Sequence, residues 1–98
     1  MNWQYIAGFF DGEGSINVTR RGKPTIFYRV DMSQKYPEAL EAIQEFLGYG
    51  IIYHRYDGKR NIYELRINRK SDIIDFVTHV LPYSIVKREK IIWLLTKI

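Results

Sequence analysis

The chain has 98 residues, 46% hydrophobic and 27% charged, and 15 Lys and Arg against 11 Asp and Glu give a net charge of +4; it reads as one globular domain over 1–98 with a weak bias toward nucleic acid. It has no Cys, which excludes disulfides and thiolate chemistry, and His54 and His79 lack ligand spacing, which argues against a His-rich metal site. No apolar run could span a bilayer and Met1-Asn2-Trp3-Gln4 is not a leader, so the expectation is a soluble, cytosolic protein without a membrane partner.

Trp3 to about Asp11 forms a predicted helix, apolar almost all round, which requires burial on more than one side. Gly12 and Gly14 supply its stop. Ser15 to Arg20 alternates as a half-buried strand does, with Ile16 and Val18 on one face and Ser15, Asn17 and Thr19 on the other. After the basic turn Arg21-Gly22-Lys23-Pro24, Thr25 to Ser33 alternates again. Ile26, Tyr28, Val30 and Met32 share the apolar face, opposite Phe27, Arg29, Asp31 and Ser33, so the two strands form a hairpin. Pro37 opens a helix with Leu40, Ile43 and Leu47 at helical spacing, and Gly48 ends it. Ile51 to Tyr56 and Ile62 to Asn68 form a second hairpin about Asp57-Gly58-Lys59. Ser71 can cap a helix running to about Leu81; Pro82 breaks it, and a last helix runs from about Tyr83 to the C-terminus. The order α-β-β-α-β-β-α-α predicts an α+β fold, an antiparallel sheet with helices on one face and a polar, basic face left for water or a ligand.

The informative stretch is Ile6-Ala7-Gly8-Phe9-Phe10-Asp11-Gly12-Glu13-Gly14. Gly8 and Gly12, four apart, clear one side of the helix for another backbone. Asp11 and Glu13 sit at the C-terminal end, where the helix dipole disfavours anions by about 0.3–1 kcal/mol each, a penalty a cation would remove. A strand begins at once and sets where the acids point. Composition alone is satisfied by a tight turn with solvated carboxylates. An EF-hand loop does not fit, since Ile16 stands where Gly is required and Gly22 where the terminal Glu is required. Nor does a dinucleotide fingerprint, because no strand precedes the glycines and they are mis-spaced.

These nine residues closely resemble the signature of the LAGLIDADG homing endonucleases, with Glu for the second acid, and the predicted element order is also that family's. The resemblance implies the αββαββα(α) fold with a saddle-shaped sheet. One copy of the motif implies a homodimer, its motif helices packed through Ala7, Gly8, Asp11 and Gly12, so that two Glu13 side chains meet. Glu13 and the Gly12 carbonyl would then bind Mg²⁺, with Mn²⁺ tolerated. The implied activity is hydrolysis of both strands of a long, near-palindromic DNA site, leaving short 3′ overhangs, in the service of intron homing. Gln34, within Met32-Ser33-Gln34-Lys35, stands at the place of a water-ordering glutamine. Lys87, within Pro82-Tyr83-Ser84-Ile85-Val86-Lys87, stands at that of an active-site lysine. One departure is Glu38, where relatives of this type often carry a second basic residue; Lys35 and Arg88 are the candidate substitutes.

On this resemblance double-stranded DNA lies across the polar sheet face. Alternation nominates Ser15, Asn17, Thr19, Arg21, Thr25, Arg29, Asp31, Tyr53, Arg55, Glu64 and Arg66 as its contacts, with Arg29, Arg55 and Arg66 suited to bidentate guanine pairing. Lys23, Lys59 and Arg60, in the turns, suit phosphate. The rival readings are a DNA-binding regulator that does not cut and an intron RNA maturase. The intact Glu13 argues against the regulator and lowers the maturase option, which still leaves room for a dual role with intron RNA as a second partner. The implied compartment is the cytoplasm, nucleoid-associated, in a prokaryote or phage, and an organelle in a eukaryote.

Overall fold

Hydrophobic spacing in the chain is realised, in a computed structural model describing every residue except Arg21, Lys23 and Pro24, as eight elements. They are α1 (Trp3–Glu13), β1 (Gly14–Arg20), β2 (Ile26–Gln34), α2 (Glu38–Leu47), β3 (Ile51–Tyr56), β4 (Asn61–Ile67), α3 (Lys70–Val80) and α4 (Arg88–Lys97). The expected α+β order is present throughout. The strands form one antiparallel sheet in the order β1-β2-β4-β3, so the two hairpins join through their inner strands.

Cross-strand partners share a face. One face carries the rows Ser15–Asp31–Arg66–Ile51 and Ser33–Glu64–Tyr53. The other carries Gly14–Met32–Leu65–Ile52 and Ile16–Val30–Ile67. On this second face Val30, Met32, Leu65 and Ile67 are buried beneath Ile6, Ala7 and Phe10 of α1, Leu40 and Ile43 of α2, four apolar side chains of α3, and Ile91 and Leu94 of α4. No helix among the described residues is long and apolar enough to cross a membrane.

Strand ends and the start of α2, where Pro37 is the cap rather than the first helical residue, agree with expectation within one residue; three helix ends differ by more. α1 runs through Gly12 to Glu13 before Gly14 ends it. A Cβ on Gly14 would lie 2.1 Å from the Phe10 ring, so only glycine lets that ring close over the junction and the strand start without a loop. Ser71 is not the cap of α3: Arg69 is, its carbonyl accepting the Ile73 N–H at 2.9 Å, and the helix begins at Lys70. α4 begins at Arg88 rather than near Tyr83, because the backbone N–H groups of Ile85, Val86 and Lys87 are all turned toward Asp11. Burial of α1 is also narrower than its composition predicts. Ile6, Ala7 and Phe10 are buried, whereas Tyr5, Gly8 and Gly12 are exposed and Phe9 is half-buried.

Candidate functional site

The two acids of the motif have opposite fates. Asp11 is spent on the fold. Its carboxylate accepts from Ser84 Oγ, from the N–H groups of Ile85 at 2.7 Å and Val86 at 3.2 Å, and from that of Lys87 at 3.3 Å. Burial pushes its pKa up, but these hydrogen bonds outweigh that and hold it below the ordinary value of 3.8. The Asp11 carbonyl accepts from Lys87 Nζ at 2.8 Å, and the same ammonium lies 5.6 Å from the centre of the Phe10 ring. Donors and a lysine thus offset the dipole penalty at Asp11, and no metal is needed there. Glu13 is exposed at the last turn of α1.

Of the four residues assigned to a partner-facing side, two lie elsewhere. Ala7 is wholly buried in the protomer's own core. The Asp11 carboxylate is engaged by the 84–87 turn. Gly8 and Gly12 do face outward, and a Cβ added at either meets no atom within 4 Å. Nothing inside the protomer requires glycine at those places.

Glu13 opens onto a groove of about 330 Å³ lined also by Ser33, Gln34, Lys35, Arg55, Arg60, Asn61 and Ile62. The structure therefore brings Glu13 and Gln34 together and adds three cations. Lys87 is not part of that lining; it approaches the same helix end through the Asp11 carbonyl. Glu38 opens α2, where an acid suits the helix's positive end. Arg88 Nη1 donates to the Leu81 carbonyl at 3.0 Å, so of the two candidate substitutes only Lys35 lines the groove. Arg55 joins it there, rather than the centre of the sheet.

No group of three or more His, Asp or Glu side chains among the described residues could hold a metal ion. Glu13 offers one carboxylate, and the end of α1 offers backbone carbonyls. These are hard oxygen donors of the kind Mg²⁺ takes, and Mg²⁺ commonly uses one or two carboxylates with waters and phosphates. The donor set fits a partial Mg²⁺ site completed by ligands from outside the protomer.

On the sheet face, two expected DNA contacts are occupied. Asp31 is 5% exposed and accepts from Ser15 Oγ at 2.6 Å, Asn17 Nδ2 at 2.7 Å and Arg29 Nε at 3.0 Å. With its oxygens filled and covered, it is corrected to a structural acceptor that also ties down Ser15 and Asn17. Glu64 likewise accepts from Ser33 Oγ at 3.4 Å and from Arg66 Nε, while the Arg66 guanidinium lies 4.4 Å over the Tyr53 ring. Thr19, Thr25, Tyr53, Lys59 and Arg60 are exposed as expected. Asp57 Oδ1 accepts the Lys59 and Arg60 N–H groups, both at 3.0 Å, and so shapes the turn that presents them. Arg21 and Lys23 lie outside the described residues. The sequence pattern nominated neither Asn61 nor Ser84. Nor did it nominate Ser33, which alternation placed only on the polar face, and nothing local marks Ser84 as the partner of an acid 73 positions away.

The sequence profile of the LAGLIDADG endonuclease matches residues 6–96. Among solved structures, the homing endonuclease I-CvuI in complex with the I-CreI target in the presence of Mg has a TM-score of 0.84 over 96% of this chain, and at 24% identity it shows the fold. The archaeal intron-encoded homing endonuclease I-Vdi141I, complexed with DNA, is 26% identical over 92% of this chain, with a TM-score of 0.78. The meganuclease I-AabMI, bound to uncleaved DNA, is 25% identical over 98% of this chain, with a TM-score of 0.80. The chain spans 63%, 62% and 35% of those proteins' respective lengths. A match that begins at the motif helix and ends in the last turn of α4, on a shared backbone, makes this chain a member of the LAGLIDADG endonuclease family.

Proposed function

We propose that the chain is one subunit of a homodimeric, site-specific DNA endonuclease that hydrolyses both strands of a near-palindromic site with a divalent metal. The observation that carries this reading is the pair Gly8 and Gly12. Each costs the helix about 0.5–1 kcal/mol relative to Ala, and the open space around both leaves that cost without a reason inside the protomer. A second copy of α1 crossing at close range supplies one. Such a crossing brings two Glu13 carboxylates, each at a helix end, toward a common seam.

Glu13 and the Gly12 carbonyl would hold Mg²⁺, with Mn²⁺ as a substitute. Such an ion would supply Lewis acidity to an attacking water and to the leaving oxygen. Gln34 has both a donor and an acceptor with which to orient that water within the groove it shares with Glu13. Lys87, held at the end of α1, offsets phosphate charge. Lys35, Arg55 and Arg60 do so from the groove wall, in the role the usual basic residue at the place of Glu38 would fill. Hydrolysis of one strand per subunit would leave short 3′ overhangs. The DNA complexes of I-CvuI, I-Vdi141I and I-AabMI, and the intron-encoded origin of I-Vdi141I, support the substrate class and intron homing.

The test is to incubate the full chain with a randomised duplex library and Mg²⁺ and to sequence the cut ends. Nearly palindromic sites with short 3′ overhangs are expected, and Glu13→Gln should bind these sites but leave them intact. Wild-type protein that binds duplexes tightly yet cuts none in Mg²⁺ or Mn²⁺ would establish the regulator reading instead. Tighter binding to intron RNA than to duplex DNA at matched salt would favour a maturase.

A further inference from the structure

We infer that Asp31 and Glu64 are positioning residues that hold Arg29 and Arg66 as guanine readers at the centre of the sheet, and that neither carboxylate touches a base. This rests on the proposed DNA-facing role of the sheet.

Arg29 and Asp31 are two apart on β2, and Glu64 and Arg66 are two apart on β4, all on one face. Asp31 stands opposite Arg66 across the strands, and Glu64 opposite Ser33, so each strand carries one acid and one base on this face. In each pair the acid lies beneath the base. The side chains of Asp31 and Glu64 are 7% and 14% exposed, against 34% for Arg29 and 31% for Arg66. Each guanidinium donates through Nε to its carboxylate. That leaves the two terminal amino groups, the fork that matches O6 and N7 of guanine in the major groove. Both forks are held in place. Asp31 is fastened by Ser15 and Asn17, and Arg66 is stacked on Tyr53, so little side-chain freedom is left to lose on binding.

Charge decides what this cluster can contribute. Two acids and two bases cancel, so the centre offers phosphate no net attraction. Its contribution is direction, whereas affinity must come from cations outside the cluster. Arg55 lines the groove with Glu13 and pairs with neither carboxylate, so it is not held as Arg29 and Arg66 are.

The test uses wild-type protein with Ca²⁺ replacing Mg²⁺, and duplexes varied one base pair at a time around a site selected from the library. Wild type should demand guanine at two positions in each half-site. Arg29→Lys keeps the charge but loses the fork; it should lower the guanine preference at one of those positions by about tenfold or more and leave the other positions unchanged. Asp31→Asn should erase the preference at that same position although Arg29 is intact. Glu64→Gln and Arg66→Lys should together define the second position. Replacing the guanine with 7-deazaguanine should reproduce the arginine variants. If Asp31→Asn weakens every duplex equally, or if Arg29→Lys keeps the wild-type base preferences, the inference is overturned. Wild-type binding without a guanine requirement overturns it alone; no binding to any duplex removes the DNA reading as well.

Discussion

Asp11 and Glu13 are the same chemistry two residues apart, and their separate duties come from what surrounds them. Asp11 joins the end of α1 to the turn before α4, and through its carbonyl it holds Lys87. Asp11→Asn replaces an oxygen that faces N–H donors with a donor. The expected loss of stability is about 1–2 kcal/mol, with cleavage slowed more than DNA binding is weakened, because the 84–87 turn that carries Lys87 is no longer held by a full carboxylate. Equal losses in single-turnover rate and in affinity would argue against that link. The pH dependence has a definite sign. Ionised Asp11 is favoured in the folded state, so the unfolded chain binds its proton first. The stabilisation is complete above 3.8 and is lost as the pH falls through the lower folded value. Denaturant titrations should show the gap between wild type and Asp11→Asn shrinking once the pH drops below 3.8. The position of Glu13 was legible in the sequence, since an acid directly before a strand has nowhere else to point. The partners of Asp11 were not, because they lie 73 to 76 residues away.

Among the elements, α1 carries the most unspent surface. Gly8→Ala adds a methyl that meets nothing in the protomer, so the isolated helix should gain roughly 0.5–1 kcal/mol while self-association weakens. Gly8→Leu should abolish self-association. Sedimentation velocity decides this, and an undiminished dimer in Gly8→Leu would show that α1 is not the seam. Alternation gave both faces of β1 and β2, and helical spacing gave the core side of α2. Helix starts were harder to read. At α3 an arginine carbonyl replaces a side-chain cap, and at α4 a distant carboxylate takes the N–H groups that an earlier start would use. Strand order was also invisible locally. Both hairpins signal their own turns, but the pairing of β2 with β4 arises only when their shared apolar rows are buried under the same helices.

At the scale of the whole molecule, the excess charge of +4 per chain doubles to +8 in the proposed dimer. Total charge was available from composition; its arrangement was not. Cations line the Glu13 groove and the β3–β4 turn, whereas the middle of the sheet cancels. Binding to any duplex should therefore fall steeply with salt. Lys59→Gln should reduce the slope of log affinity against log salt by about 1 per lost contact, and Arg29→Lys should leave it unchanged. Equal slopes for wild type and Lys59→Gln would place Lys59 away from phosphate.

The buried Asp31 carboxylate also constrains how such a face can evolve. Losing Arg29 alone strands a covered anion short of a donor, a defect of about 1–3 kcal/mol. A lineage drifting toward a new target would have to exchange acid and base together, or neutralise the acid first. Recognition would then change in coupled jumps, and engineering that retargets one position at a time would meet the same epistasis.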